Sequence, residues 1–295
     1  MTRHVVHAAA YAMLAALALA SSAFAASASA VLTVESVLPP AWVERANARR
    51  EPLTVGMALA NKEKVHTGDG GRAMLRMAEG SAVKLGEGAT LSVDDLVEKP
   101  DAKGGVVGAS LDVVRGAFRF TTGLLGNPKG QRDVRVRVNA VTAGIRGTDV
   151  WGKSDMDRDI VCLLEGRINV SHGAAQFQMT EPNSFYIAPR TGQAQPPSRV
   201  TPQQVREWSA ETEIDPKTGA TRRGGALFVV VVPGTDERTA NAQRDKLRDS
   251  GFPADVTRVG DRHEVRIASI ADATEAGVLA QRMQRLGYKQ ARPGK

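Results

Sequence analysis

Residues 55–93 read VGMALANKEKVHTGDGGRAMLRMAEGSAVKLGEGATLSV. Turn residues break this stretch every 8–12 positions: Gly56, the run Thr67-Gly68-Asp69-Gly70-Gly71, Glu79-Gly80 and Gly86-Glu87-Gly88. Between them, Ala73-Met74-Leu75-Arg76-Met77 and Ala82-Val83-Lys84-Leu85 alternate apolar with polar or large with small. Period-2 alternation at this spacing predicts short half-buried strands joined by tight turns. The pattern continues outward in both directions, from residue 31 to residue 190. Val134-Arg135-Val136-Arg137-Val138 sets valines on one face and arginines on the other, and Gly116, Gly147 and Glu165-Gly166 mark further turns. No long amphipathic helix interrupts the region, so it reads as an all-β sandwich or β-roll. Residues 98–108 read as a loop insertion.

Beyond residue 190 the composition changes. Residues 191–224 form a linker that carries Gln195-Pro196-Pro197 near its start and Arg222-Arg223-Gly224 at its end. Within it, Thr201 and Pro202 have the form of an N-cap followed by proline at the first helical position, which predicts a short helix ending near Glu211. Residues 225–295 contain an internal repeat of period 36. The shift aligns Asp236 with Asp272, Ala240 with Ala276, Leu247 with Met283, Gly251 with Gly287 and Phe252 with Tyr288. Each copy reads strand, Asp cap, helix, Gly stop and second strand. Two copies predict a small α+β unit with a four-stranded antiparallel sheet and both helices on one face. Val229, Val231, Val265 and Ile267 are expected to face the helices, against Ala240, Leu247, Val278 and Met283. Phe228, Val230, Val232, Glu264, Arg266 and Ala268 are expected on an uncovered face, where Phe228 and Val230 would lack cover.

At the other end, Arg3 precedes the apolar run of residues 8–20, and Ala23-Phe24-Ala25 has the small-x-small form of a cleavage site. The run is shorter than the roughly 20 residues that span a bilayer. We therefore expect residues 1–25 to be an export signal removed after Ala25, no stable transmembrane segment in the mature chain, and a periplasmic location. Retention as an anchor is the alternative. The net charge is +7, yet residues 31–221 hold 24 Lys and Arg against 23 Asp and Glu, whereas residues 222–295 hold 14 against 9. The basic excess sits in the last quarter, which suits an anionic polymer or surface. Export argues against nucleic acid.

Catalytic patterns are missing from the sequence. The five histidines are scattered, and no G-x-S-x-G, H-E-x-x-H or C-x-x-C occurs. Cys162 is the one cysteine and lies in an apolar run, as a buried small hydrophobe would. Asp155-Met156-Asp157-Arg158-Asp159 lacks the glycine and distal glutamate of a calcium loop and reads as a hairpin tip. Arg146 between glycines reads as structural, and Arg135 with Arg137 as a solvated face. We expect no enzymatic activity, no catalytic residues, no cofactor and no metal.

Two family resemblances rest on these residues. The stretches 55–93, LDVVRGAFRF (111–120), VRVNAVTAGIRGTDVWG (136–152) and VCLLEGRINVSHG (161–173) resemble, in order, the FecR domain over residues 32–190. That resemblance implies an extracytoplasmic β-rich domain. The best-known members pass a signal from an outer-membrane receptor to a sigma factor. This chain opens instead with an export signal, which argues against direct control of a sigma factor. Residues 225–256 and 263–291 resemble the two repeats of the SPOR domain, which binds peptidoglycan glycan strands. The family's first-strand Gln is Val230 here, its Gly-Ser-Phe positions are Val232-Pro233-Gly234, and its aromatic-Arg pair is His263-Glu264. Arg266 keeps the basic position. The resemblance implies Phe228, Val230, Arg266 and His263 as candidate peptidoglycan-binding residues. Arg266 is the best single candidate, with a salt bridge to a neighbour such as Asp255 as its structural alternative. The function expected is a non-enzymatic envelope scaffold that docks on peptidoglycan and holds an unidentified envelope protein. The alternative is a signalling or assembly module that binds proteins through both domains.

Overall fold

The computed structural model describes residues 31–99, 106–123, 132–145 and 147–294. The export signal, most of the loop at 98–108 and Arg146 lie outside the described residues. Eight strands come first: β1 (Leu32–Leu38), β2 (Ala41–Glu44), β3 (Arg50–Pro52), β4 (Ala58–Leu59), β5 (Glu63–Thr67), β6 (Arg72–Met77), β7 (Ala82–Leu85) and β8 (Thr90–Lys99). The long β9 (Val106–Thr121) precedes β10 (Arg132–Val138), β11 (Val141–Ile145), β12 (Asp149–Ser154) and β13 (Arg158–Glu165). β14 (Ile168–His172), β15 (Ala175–Met179), β16 (Ser184–Pro189) and β17 (Ser198–Arg199) close the β-rich half.

These strands make two sheets that share β9. Up to Arg115, β9 pairs with β8 and β10; from Gly116 onward it pairs with β7 and β12. Gly116 sits at the change of sheet with φ +84°, and a Cβ there would lie 2.5 Å from Ala89 Cα. A side chain is excluded both by the backbone angle and by the close approach. The first sheet runs β1-β6-β7-β9-β12-β13-β16-β17, and the second runs β3-β2-β5-β8-β9-β10-β11-β14-β15. Alternation decides what fills the space between them. Val134, Val136 and Val138 of β10 are buried while Arg135 and Arg137 are exposed. Leu32, Leu75, Val83, Phe118 and Phe120 come from the first sheet and Val43, Val65, Leu91 and Leu111 from the second, all in one core. Each such burial contributes about 1.5–3 kcal/mol.

The C-terminal unit runs β19 (Leu227–Thr235), α2 (Glu237–Asp249), β20 (Ala254–Val259), β21 (Arg262–Ile270), α3 (Ala273–Arg285) and β22 (Arg292–Pro293), after a connector helix α1 (Pro202–Ala210) and β18 (Thr221–Arg222). Asp236 and Asp272 accept the backbone N–H of Thr239 and Glu275, satisfying orphan donors at each helix start. Gly251 and Gly287 take positive φ just past each helix end. The sheet order is β20-β21-β19-β22, antiparallel throughout. Val229, Val231, Val265 and Ile267 pack with Ala240, Leu247, Leu279 and Met283.

Two expectations about this core are corrected. Val278 lies outside it, half-buried, and Leu279 takes its place; one residue turns a helix by about 100°. Val232 packs against the core rather than on the open face, because β19 bulges between Val230 and Val232 and Val232 pairs with Val265. A bulge inserts one residue and so flips the facing of the residues beyond it.

The segment 191–224 ties the halves together. β18 pairs with β1 on one side (Val37 opposite Thr221) and meets β21 on the other (Thr221 opposite Ile270). The carboxylate of Glu275, 2% exposed in the first turn of α3, accepts the N–H groups of Lys217 and Gly219 and lies 3.4 Å from the Arg222 guanidinium. A second contact joins Trp42 of β2 to the end of α2. Its Nε1–H donates to the Asp249 carbonyl, and Ala41 N–H donates to the Gly251 carbonyl. Replacing Glu275 with Ala leaves the buried Gly219 N–H and the part-buried Lys217 N–H without their acceptor and removes a counter-charge from Arg222, which keeps the Ile214 and Asp215 carbonyls. We expect a loss of about 2–4 kcal/mol, read as a lower urea midpoint of the full chain, with Glu275→Gln losing less.

Candidate binding face of the C-terminal sheet

Strand alternation sends Arg262, Glu264, Arg266 and Ala268 of β21 to the side away from both helices. Arg266 stands opposite Val230 of β19 and Asp255 of β20, and Arg292 of β22 flanks Val230 on its other side. The Arg266 guanidinium lies 4.2 Å over the Phe228 ring. It also donates to Glu264 Oε2 from Nε at 2.9 Å and Nη2 at 2.8 Å. Arg292 Nη2 stands 3.9 Å from Glu264 Oε1. Two cations thus flank one carboxylate above an aromatic ring. Arg266 is 23% exposed at the side chain and Arg292 55%, so Arg292 offers the freer cation.

The expectation that Phe228 and Val230 lack cover is corrected. Val230 is 3% exposed, and Phe228 is half-buried beneath Arg266. The end of the chain closes the other side: Gly294 N–H donates to the Phe228 carbonyl at 2.8 Å, and its Cα packs so closely on the ring that a Cβ would overlap it. His263 is not part of this cluster. It pairs with Thr235 and Arg258 and alternates to the helix side with Val265, where its Nδ1 is buried without a hydrogen-bond partner among the described residues. Asp255, the alternative partner for Arg266, pairs instead with Arg248 at 3.2 Å. The sequence reading placed Glu264 on this face but overlooked its pairing with Arg266, and it overlooked Arg292. The pairing carried a signal, since residues two apart on a strand share a face; Arg292 falls in the expected fourth strand, whose bounds and facing no alternation marked.

The links between the two halves run through β18, Glu275 and Trp42, all away from this face. Comparison with known proteins places the other half. Residues 63–169 match the family model described as FecR protein. The chain therefore contains a FecR domain, spanning β5 to the start of β14. The two sheets extend past this domain at both ends, since β1 to β4, β15 and β16 complete the same pairings. No curated protein matches the chain. Among solved structures, two crystal structures of a protein assigned as an anti-sigma factor from Parabacteroides distasonis ATCC 8503 are similar. One, at 1.65 Å resolution, is 13% identical, with 68% of this chain and 97% of that chain covered and a TM-score of 0.38. The other, at 2.50 Å, is 10% identical, with 71% and 99% covered and a TM-score of 0.38. Among the described residues no helix is long and apolar enough to cross a membrane.

The Arg266 stack sets a measurable expectation. Arg266→Ala uncovers the Phe228 ring, so binding of a hydrophobic dye should rise. Stability should fall by about 1–3 kcal/mol, because the cation–π contact and the charge-assisted bonds to Glu264 are lost together.

Proposed function

We propose that the chain is a non-enzymatic binding protein of the bacterial envelope, working in the periplasm after loss of residues 1–25. In this reading its SPOR-like C-terminal sheet docks on peptidoglycan glycan strands while its FecR domain holds an envelope protein. The observation that carries the reading is the Arg266–Phe228 stack with Arg292 beside it, on a sheet face turned away from both helices. A guanidinium is suited to carboxylates and sugar hydroxyls because it presents several donors in one plane. The ring beneath gives a flat apolar platform. The basic excess of residues 222–295 adds long-range attraction to an anionic polymer.

A second reading is an envelope signalling regulator that binds proteins through both halves. The FecR match over residues 63–169 favours it. One experiment separates the two. The full chain is spun with purified sacculi, beside Arg266→Ala and the Arg266→Ala, Arg292→Ala pair. Wall docking predicts that wild type pellets and that the double variant loses at least about tenfold in affinity, equivalent to 1.4 kcal/mol. Wild type that stays in the supernatant rejects wall docking and leaves the signalling reading.

A further inference from the structure

The outward surface of the first sheet carries a transverse row of side chains set by register. Lys84 of β7 stands opposite Arg119 of β9, Arg119 opposite Trp151 of β12, Trp151 opposite Cys162 of β13, and Cys162 opposite Phe185 of β16. Paired residues on one face are side-chain neighbours. One end of the row is therefore cationic and the other aromatic. Lys153 of β12 adds a third cation, two residues along from Trp151.

The connector covers this row. Trp208 of α1 stacks on Trp151 with ring centroids 4.7 Å apart and planes 8° apart, and meets Phe185 edge-on at 5.8 Å. Glu213 bridges Lys84 at 2.6 Å and Arg119 at 3.0 Å, and Glu211 pairs with Lys153 at 2.9 Å. One aromatic and two carboxylates thus answer two aromatics and three cations. The cover combines anchored ends with a less buried middle: Val200 and Thr212 are buried, whereas α1 between them contains no buried residue, packs on the row through Val205 and Trp208, and is flanked by ion pairs that keep partial contact with solvent. The lead-in, residues 191–199, is exposed along nearly its whole length and holds Gly192 at φ +91° with Pro196 and Pro197. Segments with few buried contacts open at low cost.

We propose that this row is a protein-docking surface held shut in cis by residues 201–213, and that its partner is an acidic helical segment bearing an aromatic anchor. The charge pattern selects that class: Arg119 keeps the Asp149 carboxylate of β12, but a basic or wholly apolar segment would leave Lys84 and Lys153 without counter-charges. Release of α1 opens the surface, and the partner replaces Trp208, Glu211 and Glu213. Because the tethered segment competes at an effective concentration on the order of millimolar, the partner binds only through additional contacts or after α1 is drawn away.

Cys162 reports the state of the cover. As a member of the row it is 0% exposed beneath the cover, and burial together with the nearby Asp149 carboxylate pushes its thiol up to about 12. The sequence has no other cysteine, so any thiol label reads this position alone.

The test uses the full chain and a release variant, Trp208→Ala with Glu211→Gln and Glu213→Gln. Alkylation of Cys162 under native conditions should be at least about tenfold faster in the release variant than in wild type, a shift of 1.4 kcal/mol in opening. A labelled synthetic peptide of residues 200–214 should bind the release variant, slow its alkylation again and leave wild type unbound. Adding Lys84→Glu and Arg119→Glu to the release variant should abolish peptide binding. If the release variant loses its cooperative melt, wild type in rising salt takes its place, since screening weakens the three ion pairs and should speed alkylation. Cys162 that stays as protected after release as before overturns the proposal. So does a folded, uncovered variant that ignores the peptide, and so does a wild-type chain found to cover the row with α1 of a second copy.

Discussion

A β-strand has hydrogen-bonding groups on two edges only, and β9 uses both edges twice. Its first half completes one sheet and its second half the other, so the two layers cannot slide or separate without breaking a continuous backbone. The change of sheet needs a residue that reaches positive φ and permits backbone contact with Ala89, and Gly116 meets both demands. The rest of the β-rich half is organised around that shared strand. The inward residues of β7, β9 and β12 meet those of β5, β8 and β10 in one core. The outward residues of the same strands form the row from Lys84 to Phe185.

The connector then gives that outward row its character. Left bare, it would expose Trp151 and Phe185 beside three cations. Residues 201–213 cover it with matching chemistry, and β18 next adds a strand between β1 and β21. The buried carboxylate of Glu275 fixes the turn between these two steps, because Lys217 and Gly219 direct their N–H groups to it. The C-terminal unit is thereby joined on its helix side and through β18, and the Arg266 face points away from the joint.

The two faces have different energetics. On the C-terminal sheet, Arg266 is held by a carboxylate and a ring of its own unit, and the apolar residues expected to lie bare are covered. That face is pre-formed. On the first sheet, the stacking contacts come from a helix with no buried residue of its own, so the surface beneath is conditional on the connector. Under the readings proposed above, docking at the first face would need no rearrangement, whereas at the second the connector would have to yield.

Strand alternation, Asp caps and Gly stops are local rules, and the features that obey them were determined by the sequence alone. The β-rich half, the valine face of β10, the caps at Asp236 and Asp272, and the repeated strand–helix pattern all rest on neighbours within a few residues. The features that only tertiary structure decided lie at long range. The bulge that turns Val232 inward depends on pairing with β21. The exchange of Val278 for Leu279 depends on the angle at which α3 meets the sheet. The burial of Phe228 depends on Arg266 and Gly294, both distant in the chain, and the row from Lys84 to Phe185 draws on five strands. No period in the sequence records such a row, because hydrogen-bond register is chosen by the whole core at once.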